Sequence, residues 1–173
     1  LGGARAVGAF IGVAGPLPKA LEISSSEQYS RRICYPGHVE IWGHVHVDVL
    51  IADSITVHGK LFVSDLAFAR RVGGMAIVVS GRMIAGDVTL NRIEGVGTVE
   101  CDAAVCDEIS IKSMCAKELR ASELIADRVR VQDGYARTAR VGELIHENAF
   151  RSGLSYVGVQ IREAFSPEAA VMA

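Results

Sequence analysis

The stretch VEIWGHVHVDVLIADSITVHGKLFVSDLAF, residues 39–68, decides how the chain folds. Apolar residues recur in it every six positions, at Val39, Val45, Ile51, Val57 and Val63. Within the run, apolar and polar residues also alternate, which is the period of a strand with one buried face. Short strands separated by regular corners bring their apolar faces back to one axis, so the pattern predicts a β-solenoid.

The six-residue frame continues beyond this stretch with interruptions. Residues 55–68 align with residues 77–90 at an offset of 22, which we interpret as an 18-residue coil of three six-residue sides plus a loop near residues 70–74. The step resumes at Ile93, Val99, Val105 and Ile111, and again at Leu119, Ile125 and Val131. The predicted fold is all-β: a single-stranded, three-sided β-helix of about six coils over residues 39–150, with less regular terminal segments.

The segments 1–38 and 151–173 differ from this body. Residues 6–15 form an apolar run that is too short to cross a bilayer, and we interpret it as the remnant of a signal peptide, as a membrane-surface anchor or as a cap over one end of the solenoid. The residues of this run that we expect to make the membrane contact are Ala9, Phe10, Ile11 and Val13. Residues 155–161, SYVGVQI, alternate once more before a tail and are a second candidate cap.

The two ends of a solenoid determine what it does in solution. Each end presents unpaired strand amides and carbonyls, which add another strand unless something covers them. If the terminal segments fold over the ends, the protein is a closed particle. If they do not, one copy stacks on the next and the product is a filament.

Composition and motifs exclude several functions. A net charge of −2 and a pI of about 6.2 argue against a nucleic-acid partner, for which a basic domain is expected. The four cysteines form no CxxC pair, and Cys101 is in phase with the core, which indicates small buried side chains in a reducing, cytoplasmic compartment. No phosphate-binding loop or nucleophile motif occurs, so we predict no catalytic residue and no cofactor.

Histidines and arginines are the remaining candidates for chemistry. His44 and His46 form an HxH pair on the outer side of one strand, a spacing that can place two imidazoles on one metal. The position one predicted coil after His46 is Ser64, which is not a metal ligand. We therefore predict that the chain holds no metal site by itself and that its histidines face solvent. A site shared between chains stays open. The arginines at 128, 130, 137 and 140 are predicted to lie on an outward, mixed-charge face.

Three segments together resemble a known family. ITVHGKLFVSDLAF (55–68), IVVSGRMIAGDVTL (77–90) and ELRASELIADRVRV (118–131) are similar to the repeats of the bactofilins, polymer-forming bacterial cytoskeletal proteins. The resemblance implies a right-handed β-helix and a non-enzymatic scaffold that assembles end to end into filaments without nucleotide. It also implies attachment to the inner face of the cytoplasmic membrane; the expected partners are further copies of the chain, the membrane surface and client proteins.

The resemblance further implies that assembly uses apolar side chains of the terminal coils. At one end these residues are Val39, Ile41, Val45 and Val47, and at the other end Val141, Leu144, Ile145 and Phe150.

A hexapeptide-repeat enzyme is the alternative. Acyltransferases and γ-class carbonic anhydrases also step by six, in a left-handed β-helix, and act as trimers. One position of their repeat usually holds a small residue. In this chain larger residues occupy that position, including Glu40, His46 and His58. In such an enzyme His44, His46 and His58 are the candidates for metal ligand or general base between chains. A non-catalytic β-helix that binds a protein partner along one flank is a third interpretation.

Overall fold

The computed structural model describes residues 20–24 and 31–165, of which 89% are in strands and none is in a helix. The strands are β1 (Leu21–Ser24), β2 (Arg32–Cys34), β3 (His38–Trp42), β4 (His44–Ile51), β5 (Ser54–Val79), β6 (Arg82–Gly95) and β7 (Thr98–Arg162). All the pairings between them are parallel. The longest strands wind through more than one turn, so the predicted β-solenoid is confirmed.

The turn of the solenoid is shorter than the sequence pattern predicts. The registers place Arg32, Val49, Leu66, Arg82 and Thr98 above one another in successive turns. The last two steps of this column are of 16 positions, the same separation that joins Asn91 to Met75 by a hydrogen bond between turns. The predicted 18-residue coil is therefore wrong, and the offset of 22 between residues 55–68 and 77–90 does not correspond to a turn.

Each regular turn has three sides of four residues. In β6 the pairing with both neighbouring strands runs over residues 82–85, skips Gly86, runs over 87–90, skips Asn91 and continues from Arg92. The third corner is two residues long, at Val96 and Gly97. Because the corners are only one or two residues long, the turn is shorter than three sides of six.

The core is made by two side chains from each four-residue side. Positions two and four point inward, as Met83 and Ala85 do on one side and Val88 and Leu90 do on the next. Successive inward residues are thus two or three positions apart. The interior contains mainly Val, Ile, Leu and Ala, and stacked turns about 4.8 Å apart keep these side chains in contact along the axis.

Because the inward positions follow this spacing and not the six-residue frame, the sequence pattern assigns three side chains to the wrong side of the strand. Val105 and Ile125, which the six-residue frame places inside, are 51% and 46% exposed, and their neighbours Ala104 and Leu124 occupy the core. Arg130, predicted to face solvent, is buried.

The stacked region extends beyond the predicted limits of 39 and 150. At the N-terminal side β1 pairs with β3, with Leu21 beside Val39 and Ile23 beside Ile41. At the C-terminal side β7 continues without a break to Arg162. Residues 151–162 therefore belong to the solenoid and form most of its last turn.

Candidate functional site

The edge of the last turn is the first feature that distinguishes one end of the molecule. Residues 152–161, SGLSYVGVQI, contain no charged side chain. They lie in the final part of β7, and no strand of the described residues follows β7 in the stack. Edge strands of soluble proteins usually carry charges or proline that prevent further strand addition. The ten residues have neither, although Arg151 and Arg162 flank them. Among the described residues no strand pairs with this edge on its outer side, so its amides and carbonyls can pair with another strand.

Exposed apolar side chains are concentrated on the same ten residues. Leu154 is 54% exposed, Tyr156 61%, Val159 53% and Ile161 39%. The other large exposed apolar residues are spread over the earlier turns: Trp42, Phe68, Met75, Val96, Val105, Ile125 and Tyr135. Exposed apolar side chains concentrated in one segment are typical of an interaction site in a soluble protein.

The core continues up to this edge. Phe150 and Val157 are partly buried and pack against the buried interior cluster. Gly158 lies directly over the carbonyl of Gly142, so Val157 lies in the turn that follows the buried Val141. A further turn stacked on this end would bury these side chains in the same way as the turns below it bury theirs. We call residues 152–161 the open edge.

The predicted N-terminal contact residues lie inside the solenoid. Val39, Ile41, Val45 and Val47 are at most 2% exposed. They occupy inward positions, and β1 covers Val39 and Ile41 from the N-terminal side. These side chains stabilise the core and do not form an exposed end, which corrects the assignment made from the sequence.

The predicted C-terminal contact residues are also largely interior. Val141, Leu144 and Ile145 are buried, and only Phe150 is partly accessible. The reason is that residues 151–162 add a turn above them. The predicted membrane-contact residues Ala9, Phe10, Ile11 and Val13 lie outside the described residues.

A signal for the open edge is present in the sequence. The alternation of SYVGVQI indicates a strand, but its interpretation as a cap overlooks that it continues the solenoid. The absence of charge over residues 152–161 is the observation that identifies it as an edge open to addition.

The histidines of the first turns lie on the outer surface, as predicted, and stack on aromatic rings. His58 is parallel to Trp42 with ring centroids 3.8 Å apart, and His46 is parallel to Phe62 at 4.3 Å. His44 meets the same phenyl ring edge-on at 6.2 Å. Over residues 20–24 and 31–165, no group of three His, Cys, Asp or Glu side chains is placed to hold a metal ion.

Burial changes the acidity of two core cysteines. It raises the pKa of Cys106 from 9.0 to about 11; the charge of Asp107 adds to the rise, and a hydrogen bond with the backbone of Leu90 opposes it. The pKa of Cys101 is also raised, mainly by burial and then by the neighbouring Cys106 and Cys115. Both thiols stay protonated at neutral pH and act as small apolar fillers, which agrees with the role predicted for Cys101.

We expect the stability of the protein to decrease above pH 9. The Cys106 thiol of the unfolded chain loses its proton near pH 9, whereas the folded protein keeps it until about pH 11. The stabilisation is therefore complete below pH 9 and is lost as the pH rises through 11, at about 1.4 kcal/mol per pH unit for this one group. Urea unfolding of wild type and Cys106→Ala at pH 8, 9, 10 and 11 measures the difference.

The substitution Cys106→Ala is expected to make the pH dependence above pH 9 shallower. Val99→Ala is the control, because it removes buried volume without removing a titratable group and should lower stability equally at each pH. Parallel curves for wild type and Cys106→Ala would contradict the prediction.

Comparison with known proteins adds no assignment: no family model matches the chain, and no curated protein or solved structure matches it. Within the part of the chain that the structure describes, no helix has the length and apolar character needed to cross a membrane.

Proposed function

We propose that the protein is a structural scaffold that assembles end to end through its open edge. The single observation that carries this proposal is the uncharged ten-residue edge strand with four exposed apolar side chains, at the end of a core that continues up to it. Nucleotide and metal have no role in such assembly, because hydrogen bonds of the strand edge and burial of apolar side chains supply its energy.

The occupant of the open edge that we propose is a strand from a second copy of the chain. A terminal strand of another solenoid presents the same strand spacing and a similar apolar bore, so it continues both the hydrogen-bond ladder and the core. When the second copy contributes β1, at the other end of its solenoid, the contact is head to tail, does not close on itself and adds copies without limit to give a filament. This agrees with the assembly that the resemblance to bactofilins implies.

One observation of the fold argues against the alternative function, a hexapeptide-repeat enzyme. Its repeat requires six residues for each side together with its corner, whereas the regular turns here take 16 residues for three sides and three corners. The outer surface carries His44, His46 and His58, and the rings nearest to them are those of Trp42 and Phe62.

Attachment to the membrane stays a prediction. It concerns residues 6–15, which lie outside the described part of the chain.

We expect Val159→Glu to raise the protein concentration needed for assembly by at least about tenfold, because a charge placed on an edge opposes strand addition and is costly to bury. The measurement is sedimentation of the purified protein over a range of concentrations, in EDTA and without nucleotide. Negative-stain electron microscopy shows whether the sedimented material is filamentous.

Val105→Glu is the matched control for this substitution. Val105 has almost the same exposure as Val159, 51% against 53%, and the change of charge is the same, but it lies on the flank of an interior turn. It should assemble like wild type. Equal effects of the two substitutions would show that the open edge is not the contact, and a wild-type protein that stays monomeric at every concentration would overturn the proposed function.

A further inference from the structure

The three residues after β7 turn back along the flank of the solenoid. The amide of Glu163 donates to the carbonyl of His146 at 3.0 Å, and the amide of Phe165 donates to Oε2 of Glu147 at 2.9 Å. Arg162 Nε donates to the carbonyl of Glu147 at 3.0 Å. The bond of Glu163 has the spacing of the other bonds between turns, whereas Phe165 also lies beside residues of earlier turns. Residues 163–165, which we call the strap, therefore run back beside the stack and not over the open edge.

Phe165 extends the strap towards earlier turns. It lines a flank cavity of about 390 Å³ together with Phe68, Ile84, Cys101 and Lys117. Phe68 pairs with Ile84, and Cys101 lies in the turn after Ile84. The cavity therefore spans several turns along the axis, and Phe165 is part of its lining. This arrangement directs the chain away from the open edge.

A buried charge anchors the strap. Arg130 has a side chain only 9% exposed, and its guanidinium meets Oε1 of Glu163 at 2.8 Å. Among the described residues its Nε has no hydrogen-bond partner, and neither has Nδ1 of His146, which lies one turn further on. A buried guanidinium is unfavourable unless a carboxylate compensates it. Glu163 supplies that carboxylate from the strap, and this ion pair joins the strap to a buried charge of the stack.

We propose that the ion pair between Arg130 and Glu163 is a latch that keeps the strap on the flank and thereby leaves the open edge free for assembly. The inference rests on the proposed function, because the open edge is the assembly surface. The strap follows the edge strand directly, and its three residues, fully extended, reach about 10 Å. Once released, the strap with Glu163 can therefore fold over the neighbouring edge, and a segment that covers an edge, like a charge placed on it, opposes strand addition.

The latch itself is tested by hydrogen–deuterium exchange in the full chain. Glu163→Gln keeps the shape of the side chain and removes its charge, and the amides of residues 163 and 165 should then exchange at least about tenfold faster. Glu118→Gln is the control, because it makes the same change of charge at an exposed position. Equal exchange in the two variants would overturn the latch. This readout does not depend on assembly.

The link to assembly is tested by sedimentation of the same two variants. If the latch controls the open edge, Glu163→Gln should need at least about fivefold more protein to assemble, whereas Glu118→Gln should match wild type. Faster exchange at residues 163 and 165 with unchanged assembly would overturn the link while leaving the proposed function intact. Absence of assembly in wild type as well would instead be a failure of the proposed function.

A double variant separates release of the strap from loss of stability. Glu163→Gln alone leaves Arg130 buried and unpaired, which can destabilise the last turns. Arg130→Met with Glu163→Gln removes that charge and keeps apolar volume, so thermal unfolding should return towards the wild-type value. The strap should remain released, with fast exchange at residues 163 and 165 and poor assembly. Recovery of wild-type assembly in this double variant would overturn the latch.

Discussion

Replacing Gly74 with alanine should lower the free energy of unfolding by about 4 kcal/mol, one of the two largest effects that we expect. Gly74 has φ of +118°, a conformation that side chains with a Cβ rarely adopt. A Cβ at this position would also lie 2.7 Å from the backbone nitrogen of Val57 in the preceding turn. Val57 is paired with Ile41 on its other side and cannot move away without disturbing that pairing, so strain and clash add. Equilibrium unfolding in urea measures the loss.

The neighbouring Gly73 is the control for this prediction. Its φ is not positive, and a Cβ there would meet only the carbonyl oxygen of Thr89, at 3.4 Å, an ordinary van der Waals distance. Gly73→Ala should therefore change the free energy of unfolding by less than about 1 kcal/mol, with a stabilising contribution from the less flexible unfolded chain. Equal losses at the two positions would show that the turns do not approach each other at Gly74 as described.

Leu124→Ala should cost about 3 kcal/mol, and Ile125→Ala should cost less than about 1 kcal/mol. Leu124 is 1% exposed and fills the core, so its truncation removes buried apolar surface and leaves a cavity that neighbouring turns cannot close. Ile125 is 46% exposed on the flank, where truncation leaves no cavity. The measurement is thermal or urea unfolding of both variants, on protein kept dilute enough to remain monomeric.

These two adjacent residues distinguish the observed winding, with its four-residue sides, from the six-residue frame. In the six-residue frame Ile125 is the core residue and Leu124 faces solvent, so the order of the two effects is reversed. A larger loss for Ile125→Ala than for Leu124→Ala would therefore contradict the observed winding. Both substitutions end in alanine, so the order of the two losses reports which of the two residues fills the core.

The open edge and the latch place the functional features at one end of the solenoid. Residues 152–161 carry the exposed apolar side chains. The strap that follows them is held on the flank by the ion pair of Glu163 with Arg130 and by Phe165 in the flank cavity. At the other end β1 pairs with β3, with Ile23 and Ile41 buried. The described molecule is therefore asymmetric, and a substitution at the C-terminal turn has no equivalent at the first turns.

The amino-acid sequence by itself determined that the chain winds into a β-solenoid. Alternation such as that of Val45 and Val47 with His44 and His46 is a local property, because neighbouring side chains of a strand point to opposite faces. Val, Ile, Leu and Ala suit a narrow interior, and repeated strands of this kind can bury their apolar faces only against one another. The outward position of the histidines and the interior role of Cys101 followed from the same alternation.

Only the tertiary structure decided the length of the turn and the identity of the exposed end. Corners of one and two residues hold residues as different as Gly86, Asn91 and Val96, so no residue type marks the end of a side, and the spacing between sides depends on which register the stacked turns share. That register moved Val105 and Ile125 outward and Arg130 inward. Exposure at an end likewise depends on whether another turn lies above it: Val141 and Val157 occupy the same inward position in successive turns, but Val141 lies under the last turn and is buried, whereas Val157 lies in the last turn and is only partly buried.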